Sequence, residues 1–331
     1  MLQLTGIHHV SALTNDIQGN HDFYTGVMGL RLVKKTVNQD DPSMYHLFYA
    51  DALGSAGTDM TFFDMPLAAR ERRGNRSISR TTFRVNGEAS LRYWEERLAA
   101  HGVSHSGVTR RDGRLHLDFE DKDGFVASLV DDGGVGDAHP WDLSPVPAEH
   151  QIRGLGYSVI TVPELGPTHD FLTGVFNLRA SRTYPHPESP SDAVHVYLLQ
   201  GEGPAAEVHV AVRPGLGRTR YGSGGVHHVA LRVPNDEQYH LWTRRLEETG
   251  MAFSGEVDRY YFRSLYIREP GGILFELATD GPGFSSDEPT ETMGQTLALP
   301  PFLEPDRAKI EAKLKPLGGG MITQAAAPVN A

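Results

Sequence analysis

Two pairs of adjacent histidines, His8-His9 and His227-His228, and one glutamate, Glu276 in the apolar run GGILFELAT, are the residues richest in possible chemistry. A carboxylate among apolar neighbours is costly to bury unless it is paired or bound to a cation. The chain has 16 histidines and no cysteine, so any metal chemistry must use imidazole and carboxylate. Thiol catalysis, disulfides, iron–sulfur clusters and Cys-ligated zinc are excluded by the same count. Each His-His opens a strand-like run, GIHHVSALT or GVHHVALRV. Neighbours on a strand point to opposite faces, so one histidine of each pair is expected to enter the interior while the other supports it or faces away. Two inward imidazoles and one carboxylate form a 2-His-1-carboxylate set. That set suits non-haem Fe(II) and leaves positions open for substrate and dioxygen.

The elements that must position these residues are repeated. Residues 21–31 read HDFYTGVMGLR and residues 169–179 read HDFLTGVFNLR, with eight of eleven positions identical at an offset of 148. Each half divides again into a short β-branched or aromatic run, a helical stretch and further strand-like runs separated by Gly, Asp and Pro. The helical stretches are expected around Ile17–Met28, Glu88–Ala100, Pro167–Phe176 and Asp236–Thr249. Alternating apolar and polar side chains in MYHLFYAD, RLHLDFE, AVHVYLL and RSLYIRE fit half-buried strands. The predicted fold is α+β: four βαβββ units paired into two cup-shaped sheets, because one unit alone leaves a sheet face uncovered. Residues 1–135 hold units at about 2–68 and 78–132, residues 150–285 hold units at about 150–213 and 224–282, and residues 286–331 add a C-terminal helix around Pro305–Leu314 and a tail expected to be disordered. Ala68–Ser79, Gly133–Glu149 and Arg213–Gly225 read as linkers. The Arg-rich stretch Arg70–Arg80 reads as a solvated loop.

Unit two offers Thr81-Thr82 where units one and four carry His-His, and unit three offers Gly156-Tyr157. His195 and His209 of unit three sit on strands without a glutamate in the Glu276 position, so they are expected to be structural and the cup of units two and three to be empty. The net charge of −11 argues against a nucleic-acid backbone partner. No apolar stretch reaches membrane-helix length and no signal pattern opens the chain, so a cytoplasmic protein with no membrane partner is expected. GxGxxG, P-loop, GxSxG and HExxH motifs are absent.

The segments LTGIHHVSALT, GVMGLRLVKKTVNQDD, MYHLFYADALGSAGTDMTFF, GGVHHVALRVP and DRYYFRSLYIREPGGILFELATD resemble the vicinal-oxygen-chelate superfamily of glyoxalases and extradiol dioxygenases. Within it the chain is most similar to ring-cleaving dioxygenases of the hydroquinone 1,2-dioxygenase kind, over about residues 2–315. The resemblance implies His9, His228 and Glu276 as ligands of Fe(II), with Mn(II) an alternative metal. It also implies His8 and His227 behind the ligands and beside the substrate, with Arg259 and Tyr266 nearby, and Ser11 where relatives commonly carry threonine. The implied partners are a small aromatic diol and dioxygen; a homo-oligomer is compatible with the reading.

A glyoxalase-like isomerase acting on a thiol adduct needs a fourth protein ligand. In GTDMTFFDMP, Thr61 or Phe62 falls opposite Glu276, flanked by Asp59 and Asp64. That weak position disfavours the isomerase, and the histidine–glutamate set disfavours a metal-free antibiotic-binding protein.

Overall fold

In the computed structural model, residues 2–318 are described, so the tail predicted beyond Gly318 lies outside the described residues. Unit one comprises β1 (Ile7–Thr14), α1 (Ile17–Asp22), β2 (Arg31–Val37), β3 (Tyr45–Ala50) and β4 (Asp59–Asp64). Unit two comprises β5 (Ser77–Val85), α2 (Gly87–Ala100), β6 (His105–Arg111), β7 (Arg114–Glu120) and β8 (Val126–Asp131). Unit three comprises β9 (Leu155–Val162), α3 (Gly166–Asp170), β10 (Arg179–His186), β11 (Ser189–Leu198) and β12 (Glu207–Val212). Unit four comprises β13 (Val226–Val233), α4 (Asp236–Thr249), β14 (Val257–Asp258), β15 (Phe262–Arg268) and β16 (Leu274–Pro282). A short helix, α5 (Arg307–Glu311), follows, briefer than the pattern around Pro305–Leu314 suggested.

The strands form two eight-stranded sheets. Units one and four share the order β14-β15-β16-β13-β1-β4-β3-β2, and units two and three share β10-β11-β12-β9-β5-β8-β7-β6. Strand parity sorts the side chains. Val10, Ala12, Met60, Phe62, Val229, Leu231, Phe275 and Leu277 turn to the apolar core, where Trp94 of α2 and Trp242 of α4 are also buried. His9, Ser11, Thr61, His228 and Glu276 occupy the opposite parity, which puts the polar set on the concave side of the first sheet.

The repeated HDF(Y/L)TGV segments do not finish as plain α-helix. In both, the last turn is π-helical, closed by Met28 N donating to Phe23 O and Phe176 N donating to Phe171 O. The hydroxyls of Thr25 and Thr173 bond back to the carbonyls of His21 and His169, a local competition that loosens the regular helical ladder. Among the described residues no helix is long and apolar enough to cross a membrane.

Candidate metal centre

The junction of β1 and β13 is bulged twice, and each bulge falls on a His-His pair. Ile7 lies opposite Leu231 while His9 lies opposite Ala230, so His8 has no partner; Ser11 lies opposite His228 while Ala12 lies opposite Val226, so His227 has none. A bulge turns a side chain away from strict alternation. It lets the two rings of each pair meet edge to face, with Nδ1 of His8 2.9 Å from Nδ1 of His9 and Nδ1 of His227 2.8 Å from Nδ1 of His228.

The second histidine of each pair faces the cup floor, where β16 delivers Glu276. His9 Nε2, His228 Nε2 and Glu276 Oε2 are separated by 3.1, 3.2 and 2.9 Å, and all three residues are buried. Metal bonds of ~2.1 Å at right angles would separate adjacent donors by ~3.0 Å, the spacing of one face of an octahedron. Glu276 Oε2 has no well-aligned hydrogen-bond donor despite the two nearby nitrogens, as expected of an atom that shares a common focus with them. Burial alone would raise the Glu276 carboxyl, but His9 and His228 outweigh it and hold the group well below the usual range.

The hydrogen bonds behind His9 fix which nitrogen is free. His8 Nε2 lies 3.0 Å from the Thr279 carbonyl, which can only accept, so that nitrogen carries the proton. Burial first, and then the neighbouring His9, push the His8 pKa down to about 3. The neutral ring therefore offers Nδ1 as an acceptor to His9 Nδ1–H, which leaves His9 Nε2 with a bare lone pair aimed at the floor. Ser264 Oγ orients the carboxylate by donating to Glu276 Oε1.

Above the trio lies a cavity of about 610 Å³. His9, His227, His228, Arg259 and Tyr266 line it; His8 and Ser11 do not. His8 is packed behind His9 and away from the cavity, its ring directed by the bulge toward Thr279 and Phe262. Ser11 is fully buried and bonds Thr61 Oγ1 at 2.7 Å. Arg259 reaches Asp40 with two bonds of 3.1 and 2.9 Å and donates from Nε to the Tyr266 hydroxyl at 3.3 Å. It sits on a tight turn with Tyr260 at φ 71°, a left-handed conformation that aims the arginine inward. Burial first, then the Glu276 charge, raise the Tyr266 phenol and keep it protonated.

His46 on β3 was missing from the sequence reading. It lines the cavity, stacks on Phe63 with Phe48 tilted on its other side, and places Nε2 2.9 Å from Thr61 Oγ1. Burial, reinforced by His9 and His228, keeps its ring neutral. The available signal was parity: in MYHLFYAD, His46 and Phe48 share a face, and a histidine on the cup face is a functional candidate. Thr61 occupies the position opposite the trio and is already engaged by Ser11 and His46. Among the described residues neither Asp59 nor Asp64 joins the cluster.

The second sheet corrects the alignment of unit two. Val159 pairs with Arg80 as Ser11 pairs with His228, so Ser79-Arg80, not Thr81-Thr82, occupy the positions of His227-His228. The bulges were invisible to an alignment by strand composition. A second cluster, Asp112, Glu207 and His209, also brings possible ligands together. Its carboxylates are already neutralised, Asp112 and Glu207 by Arg182 and Glu207 also by Arg114. His195 is bonded to Thr183, and His209 to Tyr184 and Glu207.

A family model described as the Glyoxalase/Bleomycin resistance protein/Dioxygenase superfamily matches residues 6–129 and again 154–277. A Bacillus subtilis (strain 168) protein provisionally named ring-cleaving dioxygenase MhqA is 48% identical over 318 residues, spanning 96% of this chain and 100% of the relative. The chlorohydroquinone/hydroquinone 1,2-dioxygenase of Sphingobium indicum is 31% identical over 310 residues, spanning 91% of this chain and 93% of the relative. A crystal structure from Bacillus subtilis, provisionally named a dioxygenase, superposes with a TM-score of 0.87 at 34% identity, covering 96% of this chain and 99% of the other.

Proposed function

The chain belongs to the Glyoxalase/Bleomycin resistance protein/Dioxygenase superfamily, and from that premise we propose that it is an Fe(II)-dependent ring-cleaving dioxygenase inserting both atoms of dioxygen into a hydroquinone or related dihydroxybenzene. The observation that carries the reading is the buried convergence of His9 Nε2, His228 Nε2 and Glu276 Oε2 beneath an aromatic-walled cavity. The names of the relatives supply the substrate class.

In this reading His9, His228 and Glu276 hold the metal. Bound there, iron supplies a redox-active Lewis acid for an ionised ring hydroxyl and dioxygen. The remaining chemistry belongs to the cavity wall. Arg259 provides a permanent positive charge for a phenolate, and Tyr266 donates its hydroxyl proton toward a developing oxygen anion. His227 and His46 face the same space and serve as candidates to accept a ring proton and return it to product. Phe48, Phe63, Phe262 and Leu274 exclude water from the ring. His8 and Ser11 act at one remove, His8 by fixing the His9 tautomer and Ser11 through Thr61 on His46. The glyoxalase-type isomerase is less well supported, since its fourth ligand would have to come from Thr61.

The test is dioxygen uptake after anaerobic loading with Fe(II), using hydroquinone, methylhydroquinone and catechol in parallel. Uptake matching diol loss one to one, with a ring-opened chromophore, is expected. Full iron occupancy without uptake on any of the three would overturn the proposal and direct attention to a hemithioacetal substrate with Ni(II).

A further inference from the structure

The concave side of the second sheet is not filled. It encloses a cavity of about 590 Å³ in which no metal trio stands, yet whose floor is strongly polar. Arg80, at the position of His228, and Arg111, on the last residue of β6, both turn to one carboxylate, Asp118. Arg111 grips it with bonds of 2.7 and 3.1 Å, and Arg80 approaches at 3.0 Å. Asp118 Oδ1 also accepts from Ser128, so its acceptor capacity is spent. Two largely buried guanidinium groups therefore share one half-buried anion. The other acid near Arg80, Glu188, stands 3.4 Å away with its side chain 63% exposed at the rim.

The side chain of Arg111 is 8% exposed and lines the cavity, and its buried Nε has no acceptor. An unmade bond from a buried cation is expensive, and a carboxylate is the group whose geometry suits a guanidinium fork. Beside these arginines the floor also carries the flat Tyr157 ring, backed by His209 in parallel at 3.7 Å, and Phe119, Val159 and Val194 are among the apolar side chains lining the same cavity. Excess positive charge beside an aromatic face points to one chemical class.

We propose that the second cup binds a small aromatic carboxylate, its anion received by Arg111 and Arg80 and its ring held between Tyr157 and the valines. The site is independent of the metal centre and does not rest on the reaction assigned to the first cup.

Calorimetric titration of the full-length, metal-loaded protein with benzoate at physiological ionic strength tests this. We expect saturable binding of one benzoate that survives His228→Ala, falls at least about tenfold in Arg111→Met, and is lost when Val194→Phe fills the space without touching an ion pair. Dioxygen turnover should be unchanged in Arg111→Met. No saturable binding to the wild type, binding retained in both second-cup variants, or binding abolished by His228→Ala would overturn the proposal. Inorganic phosphate binding as tightly as benzoate would overturn its aromatic part.

Discussion

In the first cup, His9, His228 and Glu276 meet at the floor; in the second, the positions displaced by the same 148 residues carry Tyr157, Arg80 and Ser128. Other pairs are kept. Arg232 bonds Asp280 as Arg84 bonds Asp132, and Arg111 stands where Arg259 stands, each beside a residue at positive φ, Asp112 or Tyr260. The scaffold thus preserves bulges, turns and an inward arginine in both cups, and three substitutions at the floor decide their chemistry. In the proposed reading one floor would hold an exchangeable cation. The other carries its cations covalently, as guanidinium groups. Shape is common property of the fold, while function lies in a handful of residues grafted onto it.

The contrast can be broken most forcefully at Glu276. Glu276→Ala should strip bound metal and reduce turnover by about a thousandfold or more, by loss of a ligand, whereas Ser128→Ala should change neither; metal analysis and an oxygen electrode read both. Next comes the arginine pair. Arg259→Gln should lower kcat/KM by roughly a hundredfold at full metal occupancy, while Arg111→Gln should leave it intact; equal losses would dissolve the distinction between the cups. His8→Ala should weaken metal affinity by about 10- to 100-fold, as removal of an orienting partner does, since the His9 tautomer is no longer imposed. Gly156 occupies the His8 position in the second cup and offers nothing comparable.

The smallest effect is on stability against pH. Although burial alone would raise it, Arg80 and Arg111 hold the Asp118 carboxyl down at about 2. A depressed folded pKa contributes stability that is fully present above the ordinary aspartate value near 4 and is lost as pH falls toward 2. Thermal denaturation of Asp118→Asn should accordingly be flatter between pH 4 and 2 than that of the wild type, if both are compared at equal ionic strength.

Much of this was legible in the chain. The HDF(Y/L)TGV repeat announces the duplication, strand periodicity announces the units, and the lone glutamate in GGILFELAT points to the buried cluster that Glu276 forms with His9 and His228. What escaped reading shares a physical cause. Bulges break the two-residue period, so nothing in the order of residues told which histidine of a pair turns inward, that His8 faces Thr279, or that Arg80 rather than Thr81 sits opposite Val159. His46 escaped because its role depends on Thr61 and Ser11, residues brought together only by the pairing of β1, β4 and β3.

The order of strands has a consequence for how the molecule is made. The second sheet uses β5 to β12, a continuous stretch of chain, whereas the first joins β1–β4 to β13–β16 and couples His9 to His228 across 219 residues. During vectorial synthesis the second sheet can close while β1 still presents a bare edge awaiting β13. A chain stalled before Val226 would expose that edge to the same strand of another molecule, so the first cup, finished last, is also the place where exchange between neighbouring chains would begin.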